Sequence, residues 1–418
     1  MGDLPTKEFD NKTPLEVAES PNLDYLARNG KTGLMYSVRK GVAPESDVAV
    51  ISILGYNPFK YGTGRGILEA VGAGIEVKDG DLALRCNFAT LGEKGELIDR
   101  RAGRNLTTEE AAELCKAVNE DVKLESYPAD FEFKNTVGYR GVLVIRSRKK
   151  PLSSRITNTD PGYAKIKELG IAEAKIRMFP KKCEPIDSSE GAKISADLVN
   201  EFVKKSHEVL DAHEINRKRE SEGKLKANII LTRDAGHKLP KFFNINEHYR
   251  ERFVSLTDMP VERGISKLAG MNTVILPPPS HDLKSDCKLR VAKLIDCLPD
   301  YDCFYIHIKG PDEPGHDGKF ELKVQLISII DKYFFGELLK KIKLEDHIIC
   351  VTADHSTPCK LKAHSDDPVP LLISGDKIKG DNVSKFSEKE CKNGSLGILE
   401  RGTELLPMLI DLLKKAEK

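Results

Sequence analysis

Residues His347 to Thr352 read HIICVT and continue without a break into ADHSTPCKLKAH, which ends at His364. A short apolar, β-branched run closed by polar residues reads as a buried strand that opens into a loop. Four further runs have the same texture: Ala227 to Thr232 (ANIILT), Asn272 to Leu276 (NTVIL), Asp302 to Ile308 (DCFYIHI) and Val369 to Ser374 (VPLLIS). Between them lie stretches with helical spacing, as in Leu322, Leu326, Ile329 and Ile330. Strands alternating with helices predict an α/β fold with a mostly parallel sheet and helices on both faces.

Between about Gly74 and Cys183 the texture changes. GIEVKDGDLALRCNFATLGEKGELIDRR and Val137 to Arg148 (VGYRGVLVIRSR) look like short strands joined by glycine-containing turns. This predicts a smaller α+β domain over 74–184, inserted into a discontinuous domain made of 1–73 and 185–418. The mixed-charge run Asn216 to Lys226 (NRKRESEGKLK) reads as a solvated loop.

The 66 Lys and Arg nearly balance the 65 Asp and Glu, for a formal net charge of +1, so no global field draws the chain to nucleic acid or to an anionic membrane. Nine cysteines without a CxxC pair indicate free thiols and a reducing, cytoplasmic compartment. No run of about 18 apolar residues occurs and the opening MGDLPTKEFDNK is polar, so neither a membrane span nor a signal peptide is expected.

Candidate chemistry concentrates at two strand ends. HIKGPDEPGHDG sets Asp312 and His316 just after one strand, in a stretch whose Pro311, Pro314, Gly315 and Gly318 argue against a regular helix and for a loop. ICVTADHSTPCKLKAH repeats the arrangement with Asp354, His355 and His364. Open α/β sheets bind ligands at the carboxyl ends of strands. Five carboxylate and imidazole groups at two such ends suit divalent cations that accept mixed oxygen and nitrogen ligands.

A nucleophile is sought in GVAPESDVAVISILGYNP, where Ser46 stands at the start of an apolar helical segment. Backbone N–H groups there favour a bound phosphate, and a nearby cation would lower the hydroxyl pKa. Arg85 in LRCNFAT, with Arg100, Arg101 and Arg104 in IDRRAGR, are candidates for clamping a small polyanion, Arg85 and Arg104 being the preferred pair.

Taken together, SDVAVISILGYNP, GRGILEAVGAGIE, RCNFAT, DRRAGR, NTDPGY, KGPDEPGHDG and TADHSTPCKLKAHSDDPVPLLISG resemble the archaeal-type cofactor-independent phosphoglycerate mutases, a branch of the alkaline phosphatase superfamily. The resemblance implies an alkaline-phosphatase-like core and interconversion of 3-phosphoglycerate and 2-phosphoglycerate in glycolysis and gluconeogenesis. It implies a phosphoserine intermediate and no need for 2,3-bisphosphoglycerate. Ser46 matches the family nucleophile. One cation would be held by Asp312, His316 and His364, the other by Ser46, Asp354 and His355 with an N-terminal Asp. Mn²⁺ is the usual family metal, and Zn²⁺, Co²⁺ or Mg²⁺ are also used. The rival readings are a phosphatase or another phosphomutase on the same scaffold, and an inactive relative.

Relatives place an apolar strand ending in Asp-Gly just ahead of the segment matched by Met1-Gly2-Asp3, and that Asp is the remaining ligand of the second cation. Strand and ligand are both missing here, and Asp3 aligns to a different position. Either the sequence is truncated or it is a variant with a weakened second centre. Truncation is the expected alternative, because an internal strand removed from a sheet would bare strand edges and apolar surface.

Overall fold

The computed structural model describes residues 1–166, 169–172, 179–280, 282–375 and 377–416. In chain order the strands are β1 (Gly30–Met35), β2 (Leu82–Leu91), β3 (Leu97–Asp99), β4 (Ala129–Asn135), β5 (Arg140–Ser147), β6 (Tyr163–Ile166), β7 (Leu169–Ala172), β8 (Ile229–Gly236), β9 (Phe253–Thr257), β10 (Asn272–Ile275), β11 (Cys303–Ile306), β12 (Ile348–Val351), β13 (Val369–Gly375) and β14 (Gly397–Leu399). Together with the helices between them they make a mixed α/β protein of two units. One comprises Met1–Tyr61, Phe242–Asp258 and Ala269–Lys418, the other Gly62–Lys241 and Met259–Leu268.

The first unit holds two sheets. Strands β10, β9 and β11 pair in that order, all parallel. The other sheet runs β12, β13, β1, β14, and here β13 is antiparallel to both of its neighbours while β1 and β14 are parallel. Its side chains alternate between two cores. Leu34 and Leu372 pack with Leu23, Leu26 and Ile327 on one face, whereas Met35, Leu371 and Ile373 pack with Leu405 on the other. A sheet covered on both faces needs the near-continuous apolar runs seen in the sequence.

Strands β11 and β12 are each the last strand of their sheet. The segments that follow them meet: the Thr357 hydroxyl, beyond β12, donates to Asp312, beyond β11, at 2.8 Å. Both strands line one apolar crevice of about 760 Å³, whose walls include Val50, Ile53, Phe304, Ile349 and Leu409, with Met1 also lining it.

In the second unit β2 is central. It pairs antiparallel with β5, β3 and β8, and β4 extends the sheet beyond β5. Helix Thr108–Asp121 begins with a capping box between Thr107 and Glu110, and it shares one core with helix Glu190–Asp211. The opposite face packs Ile67 and Ala70 of helix Arg65–Gly72 onto Ala83, Val142 and Val144.

Three expectations are corrected here. The ANIILT run is not a strand of the parallel sheet; as β8 it pairs antiparallel with β2. Apolar periodicity reports burial and carries no strand direction, which is also why antiparallel β13 went unrecognised. Secondly, the unit that contains 74–184 reaches back to Gly62 and forward to Lys241, and takes in Met259–Leu268, because helix Arg65–Gly72 and β8 both join its sheet. Thirdly, part of the expected loop 216–226 is helix Glu214–Ser221, and Arg219 is fully buried, donating to Glu110 and Asn105. No helix among the described residues is long and apolar enough to cross a membrane.

Candidate active site

Asp312 and His316 stand on a short helix, Asp312–Asp317, which directly follows β11 and its loop. The expectation of a loop fails for a local reason. Pro314 falls in the first turn, where a backbone N–H has no helical partner to lose, and Gly318 (φ 72°) ends the helix in the left-handed region. Gly315 admits a close approach: a Cβ there would come within 2.4 Å of the Thr357 carbonyl oxygen. Helical spacing of i and i+4 then sets Asp312 and His316 on one face.

His364 arrives from the loop after β12. Its Nε2 is 3.1 Å from His316 Nε2 and 3.6 Å from Asp312 Oδ1, and His316 Nε2 is 3.4 Å from the same oxygen. A point equidistant from these three atoms lies about 2 Å from each, the bond length at which Zn²⁺ and similar ions hold imidazole and carboxylate. Among the described residues these three form the one group of His, Cys, Asp or Glu with metal-ligand spacing. Their donor set fits a divalent cation of the Mn²⁺ or Zn²⁺ type.

Beside them lie Asp354, His355 and Ser46. His355 Nε2 is 3.0 Å from Asp354 Oδ2 and 3.3 Å from Ser46 Oγ. The His355 and His364 rings stack at 3.6 Å, so the two clusters adjoin. Ser46 is the first residue of helix Ser46–Ile53. Burial alone would raise the pKa of a carboxylate, yet the surrounding imidazoles hold Asp312 and Asp354 well below their ordinary value. Burial works against a charge on His364 too, but Asp312 and Glu45 raise its pKa.

The loop after β12 is braced from behind. Lys323, 1% exposed, donates to the carbonyls of Thr357 (2.9 Å) and Gly2 (3.0 Å) and to Asp3 (2.8 Å). Asp3 in turn accepts from the Cys359 N–H at 3.2 Å. Asp3 is thus tied to a lysine and to backbone.

The family model for 2,3-bisphosphoglycerate-independent phosphoglycerate mutase matches residues 27–216. A curated protein of that name from Aeropyrum pernix is 45% identical over 408 residues, covering 96% of this chain and 95% of its own. The chain belongs to this mutase family. Its counterpart in Thermococcus kodakarensis is 39% identical over 418 residues, covering 100% of this chain and 96% of that one. Two solved structures are similar throughout. A Pyrococcus horikoshii protein superposes with a TM-score of 0.79 at 30% identity, covering 100% of this chain and 96% of that one. A cofactor-independent phosphoglycerate mutase from Thermoplasma acidophilum gives 0.60 at 29%, covering 98% and 96%. Members of the family are isomerases, and this chain is one.

The second unit of this family member carries a network of guanidinium groups. Arg65 donates to Glu69 (2.8 Å) and Arg85 forms an ion pair with it (3.1 Å), Arg85 approaches Asp234 (3.9 Å), Arg233 bridges Asp234 (3.5 Å) and Asp160 (2.9 Å), and Arg100 grips Asp160 with two bonds of 2.7 and 2.9 Å. Four guanidiniums face three carboxylates. Burial and the neighbouring Arg65 pull the Arg85 pKa down to about 10. A shift in β8 pairing brings Asp234 (φ 56°) into the network; bulges re-aim side chains in this way. Arg85 and Arg100 therefore lie in one network, whereas Arg104 is an exposed turn residue and Arg101 is half-buried. Sequence reasoning missed Arg65, Arg233 and Thr357. A charged pair interrupting the apolar run at Arg233-Asp234 was the available signal, since buried charges come paired.

Proposed function

We propose that the chain interconverts 3-phosphoglycerate and 2-phosphoglycerate through a phosphoserine at Ser46, on an alkaline-phosphatase-like core. Two divalent cations, Mn²⁺ in the first place, would be held by Asp312, His316 and His364 and by Ser46, Asp354 and His355. The observation that carries the reading is the Ser46 hydroxyl, 3.3 Å from His355 Nε2 and at a helix start beside the Asp312 cluster.

When bound, the cations neutralise phosphoryl charge and lower the pKa of the serine hydroxyl. The chain's own groups do the rest. Ser46 Oγ bonds to phosphorus as the phosphorus–oxygen ester bond of the substrate breaks, and the proton that Ser46 loses ends on the departing glycerate oxygen. First-turn N–H groups of helix Ser46–Ile53 orient phosphoryl oxygens. Reversal onto the other hydroxyl of the glycerate yields the isomer and frees Ser46. The excess of guanidinium over carboxylate around Arg85, Arg100 and Arg233 suits a small polyanion, supporting phosphoglycerate as its ligand. Free thiols and balanced charge favour the cytoplasm and a place in glycolysis and gluconeogenesis.

Ser46→Ala is expected to abolish trapping of labelled phosphate from 3-phosphoglycerate while leaving Mn²⁺ bound at the Asp312 cluster. Substantial mutase turnover in that variant overturns the phosphoserine route. Preferential hydrolysis of pentose phosphates or generic esters would instead indicate a phosphatase or another phosphomutase.

A further inference from the structure

The hydroxyl of Thr357 lies between the two clusters. Its Oγ1 is 2.8 Å from Asp312 Oδ1 and 3.0 Å from His355 Nδ1. A threonine hydroxyl has one proton to give, and an ionised carboxylate only accepts. Thr357 therefore donates to Asp312 and accepts from His355, which places the imidazole proton on Nδ1. His355 Nε2 is the nitrogen aimed at Ser46 and Asp354, and so the one that faces a cation held there.

The backbone that carries this hydroxyl is held on both sides. The residue is 2% exposed, its N–H donates to the Gly2 carbonyl at 3.1 Å, and its carbonyl receives Lys323 and backs onto Gly315. Each ligand cluster thus has one member tied to the same oxygen.

We propose that Thr357 is a positioning residue that fixes the His355 tautomer and the Asp312 carboxylate together, so that the two cation centres are assembled as a pair. The inference rests on the two-centre reading above. Groups hydrogen-bonded behind a ligating histidine set its tautomer and basicity, and their loss weakens metal affinity about 10–100-fold.

The test compares the full chain with Thr357→Val, which keeps the shape and loses the hydroxyl, and Thr357→Ser, which restores it. Long-range ¹H–¹⁵N spectra of the metal-free proteins read directly which His355 nitrogen carries a proton. The wild type and the serine variant are expected to show His355 protonated at Nδ1, and the valine variant to lose that signature. Mn²⁺ titration followed by electron paramagnetic resonance is expected to show two ions in the wild type and a roughly 10–100-fold weaker second ion in the valine variant, with the serine variant close to wild type. A circular-dichroism melt verifies that each variant folds. If the wild type binds no Mn²⁺, the two-centre reading and the coupling fall together. If it binds two ions and the valine variant matches it in tautomer and affinity, the Thr357 proposal alone is overturned.

Discussion

His316 Nε2 and His364 Nε2 lie 3.1 Å apart on residues separated by 48 positions. Two imidazole nitrogens this close share one proton or one cation, and Asp312 closes the triangle. Divalent cation is therefore expected to stabilise the folded chain. At a hundredfold excess over Kd the gain is about 2.7 kcal/mol, seen as a rise in Tm that EDTA reverses. His316→Ala and His364→Ala should each remove most of that rise. Burial opposes a charge on His364, but Asp312 and Glu45 hold its pKa up, so protons compete with the metal and the rise should shrink as pH falls. Identical melts with and without saturating Mn²⁺, Zn²⁺ and Co²⁺ would sink the metal site.

Asp160 is fully buried between Arg100 and Arg233. Asp160→Asn takes from Arg100 its carboxylate partner and from Arg233 one of two, the other being Asp234, and breaking such buried pairs costs about 3–5 kcal/mol. A comparable loss of stability is expected, with a raised KM for 3-phosphoglycerate. Burial works against ionisation, but Arg100 and Arg233 hold the Asp160 pKa below its ordinary value. Its stabilisation is thus present above the unfolded carboxylate pKa of about 4 and is lost as pH falls through the depressed folded value. Urea melts across acidic pH test this: the wild type should lose stability in that window by more than the Asn variant does. Equal slopes would refute it.

Gly315→Ala would drive a methyl group to 2.4 Å from the Thr357 carbonyl oxygen. The helix Asp312–Asp317 and the loop after β12 have to separate, at a cost of about 1–3 kcal/mol, the usual range for overpacking. Because Asp312 and Thr357 sit on the two sides of that contact, Mn²⁺ affinity should fall along with Tm. A variant that melts lower but binds Mn²⁺ like the wild type would separate packing from the site.

The sequence displayed the residues at strand ends because each neighbours a strand in the chain: Asp354 and His355 follow β12, and Asp312 and His316 follow β11. What it concealed depends on distance along the chain or on backbone direction. Thr357 reaches Asp312 across 45 residues and Arg233 reaches Asp160 across 73, and neither pairing leaves a local pattern. The antiparallel course of β8 and β13 is hidden because a strand buried on both faces reads alike in either direction. The helix at Asp312 looked impossible from its prolines and glycines. It forms because Pro314 needs no N–H partner in a first turn and Gly315 is what the contact with Thr357 requires.

The crevice between β11 and β12 yields the last prediction. Its walls are apolar, both flanking strands end their sheets, and both point their C-terminal ends toward Asp312 and Asp354. Met1 lines it, and burial, with Lys323 nearby, pulls the pKa of the Met1 amino group down to about 6. Adding about five or six β-branched apolar residues ahead of Met1, ending in Asp-Gly, is expected to join the two sheets through a strand laid between β11 and β12. Each Val or Ile buried contributes about 1.5–3 kcal/mol, against roughly 1–2 kcal/mol per residue of ordering entropy, so a net gain of a few kcal/mol should raise Tm. Cys303 and Cys350 both line the crevice and are only partly buried, so the added strand should slow their alkylation. The added Asp should tighten the second Mn²⁺ ion, which a strand ending in Asn-Gly should not. A Gly/Ser extension of equal length controls for length alone. If the apolar extension neither raises Tm nor protects the two cysteines relative to that control, the crevice is not a strand site.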